Sequence, residues 1–564
     1  MKKKIFFYIG LLFLGLQSCS LDEELIDTPN PTLISTEDDV DALIHGLYAR
    51  LNDGGAFKYN GFLMLTLSAD DIYSTVGSEF GPFAQRTYTG ADVELFWDQM
   101  FLTIGAANNL IKVLDDLELS DSYERRAYGE AYFMRAFCYY YLVRLFGGVP
   151  LRLEVANIGS DFYLPRSSVD DVYAQIFVDF AEAGLRLPLA SALSTAQIGR
   201  ATKGAAHALL AQAYLTYGNQ LSLKGEDPKF QYEESWRYCD SVILSNQYTI
   251  LDEYADLFDI AKENNAYREV IFGIRFQVDP QARALGSAGS EVGYYFGVPN
   301  SHFVSGNAPY GNGNGAMRPM PWVADFYRKG DYANAAGTVV DYRNEVAFMQ
   351  LPYNSVEKKY YATYPNIPAA NQGVITVPVI GKYIDPNGKD SRNNGNDFFV
   401  IRFPEIYLIK AEVLNELDRK IDAFFPFNRT RERARKGKGT GRNIPANVNA
   451  TTHPTITKSE LRMKIFHERG LEFIAEGQRW FDLVRMQHPT DPTKTMYEYQ
   501  LMEELTKSTY SKAMPGYNAT TKTYTNRNAV YQPALNVSRK FLLFPIPTGE
   551  LLKNPNFGEQ NPDW

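Results

Sequence analysis

Two carboxylates one helical turn apart are the first pattern in this chain that could support chemistry. Glu468 and Glu472 have the i, i+4 spacing that places two acids on one face of a helix. Paired acids can hydrolyse a glycosidic bond, but they must then face each other across a cleft at a set separation. Here both acids fall in a scaffold helix with flanking arginines. We therefore predict that the pair is structural and that the chain is not an enzyme.

Two other polar patterns also resemble sites. Arg479 and Asp482, three residues apart, are predicted to form an ion pair along one helix rather than an active centre. The run 385–390 (DPNGKD) offers oxygen ligands to calcium, but it lacks the EF-hand spacing and the closing glutamate. We predict a polar turn there and no cofactor, with a structural calcium ion as the alternative. The histidines do not cluster, and GxSxG, HExxH and Walker motifs are missing from the sequence, so a metalloenzyme or hydrolase is disfavoured.

The N-terminal segment contains a cysteine placed for lipid attachment. Three lysines (2–4) precede an apolar run over 5–16, which is too short to span a bilayer, and this arrangement predicts a signal peptide over 1–18. Leu16-Gln17-Ser18-Cys19 resembles a bacterial lipobox, which implies cleavage before Cys19 and acylation of that residue, with palmitate among the attached chains. The acidic residues 22–24 resemble a tag for export to the cell surface. We predict a lipid anchor in the outer membrane, facing the exterior; an ordinary signal peptide with a chance cysteine is the alternative.

Composition restricts the partners. The net charge is −9, and cleavage after residue 18 would remove three lysines and no acid, leaving about −12. Such a chain lacks the basic field that nucleic-acid binding needs, so we predict no nucleic-acid partner. Cys138 and Cys239 each lie in a helical pattern beside aromatic residues, which predicts two free buried thiols, with a disulfide between them as the alternative.

Helical periodicity dominates both ends of the chain, so we predict a mainly α fold with tetratricopeptide-like hairpins forming a scaffold. Four long segments between the helices (53–92, 280–320, 350–398 and 486–540) are loop-like, yet they keep their aromatic residues. Disordered segments normally lack aromatics, so we predict ordered loops that carry a binding surface. The predicted helices are 37–52, 95–117, 124–146, 169–186, 202–217, 233–245, 403–417, 422–435 and 459–473, the last running on to 485.

Six motifs in order identify a family. They are Trp97 with ANNLI (107–111), GEAYFMRAF (129–137) with FGGVPL (146–151), GRATKGAA (199–206), IRFPEIYL (401–408), HER (467–469) with GQRWFDLVR (477–485), and LFPIP (543–547). Together, behind the lipobox, they look like the SusD/RagB family of outer-membrane nutrient-binding lipoproteins. The final residues 561–564 (NPDW) depart slightly from the usual Asn-Pro-Gly ending of that family.

The resemblance implies the fold, the partner and the function. It implies a helical scaffold whose loop-rich variable half carries the ligand site, and a SusC-like TonB-dependent β-barrel transporter over which the protein sits as a lid. We predict a cell-surface lipoprotein that binds a polysaccharide or oligosaccharide and delivers it to that transporter. The alternatives are a SusD-like protein for peptides or other nutrients, a surface glycan hydrolase, and a helical scaffold that binds only protein. The predicted regions are 19–250, a variable region 251–400 and 401–564, with 19–564 as one compact unit.

Aromatic residues in the loops are the predicted ligand platform. Glycine lets the backbone approach a ligand, and a flat ring offers contact area at small entropic cost. The alternative is that the same rings pack against the helices as core. The clusters are listed in order of preference. The first is Tyr294, Tyr295, Phe296, Phe303 and Tyr310, with Asn300 and His302 as polar partners; the second is Tyr73, Phe80, Phe83 and Tyr88; the third is Tyr353, Tyr360, Tyr361 and Tyr364.

Overall fold

The computed structural model describes residues 34–74, 80–156, 161–278, 289–298, 313–337, 340–354, 356–387, 393–437, 442–505, 515–526 and 536–564. The predicted signal peptide and Cys19 lie outside these residues. Within the described part of the chain, none of the helices combines the length and the apolar character needed to cross a membrane.

Helices make up most of the N-terminal part. The longest ones end where local signals predict: α5 stops at Gly147, whose φ of 76° suits glycine, just before Val149-Pro150. Thr36 and Asp39 form a capping box at the start of α1. The helices are α1 (Glu37–Leu51), α2 (Asn60–Leu67), α3 (Gly81–Gln85), α4 (Gly90–Asp115), α5 (Asp121–Phe146), α6 (Val169–Arg186), α7 (Lys203–Leu223) and α8 (Lys229–Leu244).

The middle of the chain contains short elements. Its helices are α9 (Glu263–Ala266), α10 (Val292–Phe296), α11 (Pro321–Phe326) and α12 (Arg343–Ala347). The strands, from the whole chain, are β1 (Ile72–Ser74), β2 (Val270–Ile274), β3 (Met317–Pro319), β4 (Tyr353–Asn354), β5 (Lys359–Thr363), β6 (Gly373–Ile375), β7 (Phe398–Arg402), β8 (Pro515–Asn518) and β9 (Thr523–Asn526). They pair as β1–β3, β2–β7, β4–β5–β6 and β8–β9; all these pairs are antiparallel except β5–β6, which is parallel.

The C-terminal helices complete one scaffold with the N-terminal ones. They are α13 (Phe403–Glu416), α14 (Lys420–Lys436), α15 (Lys458–Glu472), α16 (Arg479–Arg485) and α17 (Thr548–Lys553). Each helix from α4 to α8 packs against the next, α8 packs against α13, and α13 packs against α14. Helical hairpins from both ends of the chain thus form one continuous array. The predicted mainly α fold with a helical scaffold is confirmed.

A buried ionic network joins the variable region to this scaffold. Five cationic and five carboxylate side chains, each at most 3% exposed, form it: Arg343, Lys382, Arg402, Arg431 and Arg433 with Glu269, Asp341, Glu468, Glu472 and Glu476. The opposite charges balance in number, as buried ions require. Glu468 and Glu472 therefore lie in a structural network with arginines, as predicted.

The predicted ion pair between Arg479 and Asp482 is wrong. The Nε and Nη2 atoms of Arg479 donate to the two carboxylate oxygens of Asp70, at 2.7 and 2.9 Å. Asp482 instead accepts from Arg469 and Arg485. Arg479 is the first residue of α16, and it reaches a residue 409 positions away that no spacing rule could connect to it. Cys138 and Cys239 are free and buried, so the predicted pair of thiols is confirmed.

Candidate functional site

The preferred aromatic cluster is mostly core. Tyr295 and Phe296 lie in α10 and are 2% and 1% exposed. The ring of Phe296 stacks on that of Tyr383 with centroids 5.7 Å apart, and the Tyr295 hydroxyl donates to Glu291. The prediction that these two rings form an exposed platform is therefore wrong. Tyr294 is half-buried and remains a candidate.

The second cluster is also core. Tyr73, Phe80, Phe83 and Tyr88 are at most 4% exposed. Tyr73 pairs with Arg318 across β1 and β3, and the Phe80 ring lies 5.1 Å from that of Tyr295. These rings are not an exposed platform either, because the two loop segments turn toward each other and bury their rings together. Asn300, His302, Phe303 and Tyr310 lie outside the described residues.

Less buried aromatic rings occur instead along β4 and β5, where Tyr360 is exposed and Tyr353 and Tyr361 are half-buried. Tyr353 and Tyr360 are directly opposite in the antiparallel register, and their ring centroids are 4.9 Å apart. Tyr360 is 51% exposed. Tyr361 points to the other side of β5, as alternation requires, and lies over Gly373 of β6, where a Cβ would come within 2.3 Å of its ring. Tyr361 thus covers a small buried cluster, while Tyr353 and Tyr360 face outward.

A second group of aromatic rings begins at Tyr364, the residue after the end of β5. The Tyr364 ring is half-buried and lies 4.8 Å from that of Tyr524 on β9, which lies 5.3 Å from that of Tyr517 on β8. The Tyr364 hydroxyl donates to both oxygens of Asp325, at 2.8 and 3.0 Å, and the Tyr524 hydroxyl donates to Asn366 O at 2.8 Å. The two hydroxyls are therefore committed to the protein, which orients the rings.

Polar groups surround these rings. Burial raises the pKa of Asp325, and the hydrogen bond from Tyr364 opposes that rise. Burial also lowers the pKa of Arg328, whose Nη2 donates to Asn366 Oδ1 at 2.8 Å. Burial, followed by the neighbouring Tyr517, raises the pKa of Tyr524 to about 12. A few fixed donors and acceptors beside a mostly apolar surface are typical of a small-molecule or sugar site.

Helix α11 adds two aromatic residues that the sequence analysis missed. Trp322 and Phe326, four residues apart and half-buried, share a face of α11 beside Asp325. The Trp322 Nε1–H donates to Asp70 O at 3.2 Å. Neither residue belongs to an aromatic-rich loop, so composition gave no signal for them. We call the set Trp322, Phe326, Tyr353, Tyr360, Tyr364, Tyr517 and Tyr524 the aromatic face.

Buried ionisable groups lie under α11. Trp322, Phe326, Asp71 and His467 line a cavity of about 20 Å³. Burial and then the neighbouring Asp70 raise the pKa of Asp71 to about 7, although Arg479 opposes the rise. Burial, with Arg479 adding repulsion, lowers the pKa of His467 to about 3. The base of the face is therefore sensitive to the protonation of one carboxyl group.

The predicted polar turn begins at Asp385. Its Oδ1 accepts from Asn387 N at 2.8 Å and its Oδ2 from Gly395 N at 2.7 Å, while residues 388–390 lie outside the described part of the chain. Across the residues that the structure covers, we find no group of three or more His, Cys, Asp or Glu side chains placed to hold a metal ion. The calcium alternative remains a prediction.

Comparisons with known proteins agree along the whole chain. A family model described as "SusD family" matches residues 268–564, and one described as "Starch-binding associating with outer membrane" matches residues 21–215. SusD-like protein P2 of Formosa agariphila is 26% identical, with 100% of both chains covered. A SusD-like protein of Bacteroides ovatus is 22% identical, covering 94% of this chain and 91% of its own.

Solved structures show the same fold. A SusD homolog from Bacteroides thetaiotaomicron has a TM-score of 0.75 at 18% identity, covering 95% of this chain and 98% of the homolog. A laminarin-binding SusD-like protein has a TM-score of 0.65 at 21% identity, covering 94% of this chain and 100% of that protein.

Proposed function

The chain belongs to the SusD family, and from this premise we propose that it is a glycan-binding lipoprotein of the outer membrane, which captures an oligosaccharide on the aromatic face and delivers it to a SusC-like transporter. The observation that carries the proposal is the aromatic face itself. The rings of Tyr364 and Tyr524 are held by hydrogen bonds to the protein, and Tyr360 leaves half of its surface open to solvent. A sugar ring can lay its CH groups on such rings while its hydroxyls meet Asp325 and Asn366.

Binding without catalysis fits the arrangement of acids. The face places one carboxylate, Asp325, beside its rings. Glycosidases of the usual kind need a second acid across the cleft, and among the described residues of the face we identify no such partner. The carboxylates Glu468 and Glu472, which have suitable spacing, are enclosed by arginines in the buried ionic network.

Membrane location and transporter partnership rest on the N-terminal motif and on the family. Acylation at Cys19 would insert several acyl chains, each contributing about 0.8 kcal/mol per buried methylene, which is enough for stable anchoring. The family model that matches residues 21–215 is described as associating with the outer membrane. A binding protein without an energy-coupling motif needs a separate transporter, and a TonB-dependent barrel of the SusC type supplies that role.

The binding test removes one ring of the aromatic face at a time. Tyr360→Ala and Trp322→Ala should each weaken binding to an oligosaccharide of the cognate polysaccharide by roughly tenfold to thirtyfold, on the order of 2 kcal/mol for a platform ring. The polysaccharide is found by affinity electrophoresis against a panel that includes laminarin, and affinity is then measured by calorimetry. Phe230→Ala is the matched control, because Phe230 is 62% exposed on α8, outside the face.

The outcomes separate the alternatives. Retention by none of the polysaccharides, or equal affinity in all three variants and the parent chain, would contradict glycan capture at this face. Ring-dependent binding of oligopeptides without any glycan affinity would show that the nutrient is a peptide.

A further inference from the structure

A second, larger cavity lies away from the aromatic face. Its volume is about 280 Å³, against 10 to 20 Å³ for three other cavities of the described residues. Helix α1 forms one wall with His45 and Ala49, the turn before α7 forms a second with Arg200, and β2 with Arg275 forms the third. A cavity of this size has room for a sugar unit, whereas the others have room for a water molecule or two.

The floor of the cavity is apolar. Leu51, Phe272 and Ile274 line it, and each is at most 3% exposed. Gly273 between them adds bare backbone to the wall. A ligand that enters the cavity therefore meets a hydrophobic base on which the CH groups of a sugar ring could rest.

The rim carries hydrogen-bond donors. Arg200 Nη2 donates to His45 Nε2 at 2.9 Å, because a guanidinium group can only donate. Arg275 Nη1 donates to Ile198 O at 3.2 Å, and Asn52 Nδ2 donates to Arg275 O at 2.7 Å. Among the described residues, the Nε–H of Arg200 has no hydrogen-bond acceptor.

The acids near the cavity form ion pairs with its arginines but do not line it. Arg200 contacts Asp41 and Glu130 at 3.3 Å each, and Arg126 shares both of these acids. Arg275 contacts Glu263 at 3.1 Å and Asp397 at 3.7 Å. These contacts are longer than the 2.7–2.9 Å of tight guanidinium–carboxylate pairs. They hold in place the guanidinium groups of the two arginines that line the cavity.

The backbone conformation at Gly199 makes room for the Arg275 side chain to reach the rim of the cavity. Gly199 has a φ of +99°, and a Cβ there would lie 2.5 Å from Arg275 Cδ. A glycine at this position lets the Arg275 stem cross the turn and bring its guanidinium to the rim. The Arg275 guanidinium also packs on the Tyr267 ring, 5.3 Å from the centroid.

We propose that this cavity is a second binding site, for the acidic group of a carboxylated or sulfated sugar unit. The apolar floor receives the ring, and the donors at the rim receive the carboxylate or sulfate oxygens. The identification of the ligand as a sugar rests on the proposed function; the preference for an acid rests on the donors of the cavity alone.

The test uses three sugars that differ only in the acidic group: galactose, galacturonate and galactose 6-sulfate. Binding to the mature chain is measured by ligand-observed NMR and calorimetry. We expect galacturonate or galactose 6-sulfate to bind at least tenfold more tightly than galactose, with affinity falling as salt rises. Which of the two binds better distinguishes carboxylate from sulfate.

Two variants test the location. Ala49→Trp fills the cavity from an exposed position of α1 and removes no ion pair, and Arg275→Gln removes one donor group. Each should reduce acidic-sugar binding at least tenfold, at unchanged melting temperature for Ala49→Trp, while Phe230→Ala, outside both sites, leaves it unchanged. Equal binding of galactose, undetectable binding of both acidic sugars, or affinity that survives Ala49→Trp would overturn the proposal. An acidic dipeptide binding here in place of both sugars would overturn the assignment to a sugar.

These outcomes are independent of the aromatic face. If the cavity does not bind acidic sugars while an oligosaccharide still binds in a Tyr360-dependent manner, the proposed function stands without the second site. If acidic sugars bind in the cavity while Tyr360→Ala and Trp322→Ala have no effect on any glycan, the primary face is misassigned.

Discussion

Glu472 offers the sharpest test of the buried ionic network. It is 0% exposed and accepts hydrogen bonds from Arg343 at 3.0 Å, from Arg402 at 3.1 Å and from Arg433. Glu472→Gln keeps the shape of the side chain but leaves the network with five cations against four carboxylates. At an effective dielectric constant of ~20, each lost contact between unit charges is worth about 4 kcal/mol before solvation. Because the parent pair also carries a desolvation cost, we expect a net loss of about 3–5 kcal/mol in the free energy of unfolding.

This loss can be measured as a change in melting temperature. With ~2.1 cal/mol/K per residue, the ~546 residues that follow the predicted cleavage have an unfolding entropy near ~1.1 kcal/mol/K, so the melting temperature should fall by about 4 °C. Asp116→Asn is the matched control. Asp116 pairs with Lys112 at 3.0 Å, but the two side chains are 67% and 59% exposed, so we expect less than about 1 kcal/mol there.

The pH dependence of the stability difference between the parent chain and Glu472→Gln tests whether the charge of Glu472 causes that difference. Burial alone would raise the pKa of Glu472, but three guanidinium groups outweigh burial and hold that pKa well below its usual range. A depressed pKa stabilises the folded state at pH values above the ordinary pKa of about 4.3, and this contribution is lost as the pH falls further. The difference between parent and Glu472→Gln should be full at pH 7 and shrink below about pH 4. A shift at pH 7 no larger than that of Asp116→Asn would refute the reasoning.

Three further predictions concern the base of the face, the membrane anchor and the transporter partner. The pKa of Asp71 is raised to about 7 in the folded chain, so its protonated form is favoured there, and stability should fall as the pH rises from the ordinary aspartate pKa of about 4 to about 7 and then level off. Asp71→Asn should therefore raise the melting temperature more at pH 8.5 than at pH 5.5, and an equal rise at both pH values would contradict this. Cys19→Ala should leave the signal uncut or release the protein from the outer membrane in cells that lack the barrel, as seen by fractionation; continued membrane attachment there would refute the lipid anchor. In cells with the barrel, gentle detergent extraction of the parent chain should recover both proteins together, and repeated recovery of the free lipoprotein would count against the partnership.

Local sequence predicted most of the helices because their signals are local. The helix predicted to run on from 459–473 to 485 is instead divided into Lys458–Glu472 and Arg479–Arg485. Apolar spacing, caps and glycine stops all act within a few residues, so the prediction of 169–186 coincides with the helix Val169–Arg186, and that of 403–417 differs from Phe403–Glu416 by one residue. The family motifs are likewise short runs, and the family models match residues 21–215 and 268–564. The helical scaffold could therefore be predicted from the sequence before any contact between its halves was known.

The position of the aromatic face could not be predicted in the same way. Tyr295 and Tyr360 have the same chemistry and both lie in segments rich in turns, yet one is 2% exposed and the other 51%. An aromatic ring gains free energy by packing in a core and also serves as a binding platform, so residue type leaves the choice open. Contacts between distant residues decide it: the ring of Tyr364 meets Tyr524, 160 positions later, and Arg479 meets Asp70, 409 positions earlier. Periodicity determines which residues form helices, whereas only the tertiary packing decides which rings remain at the surface.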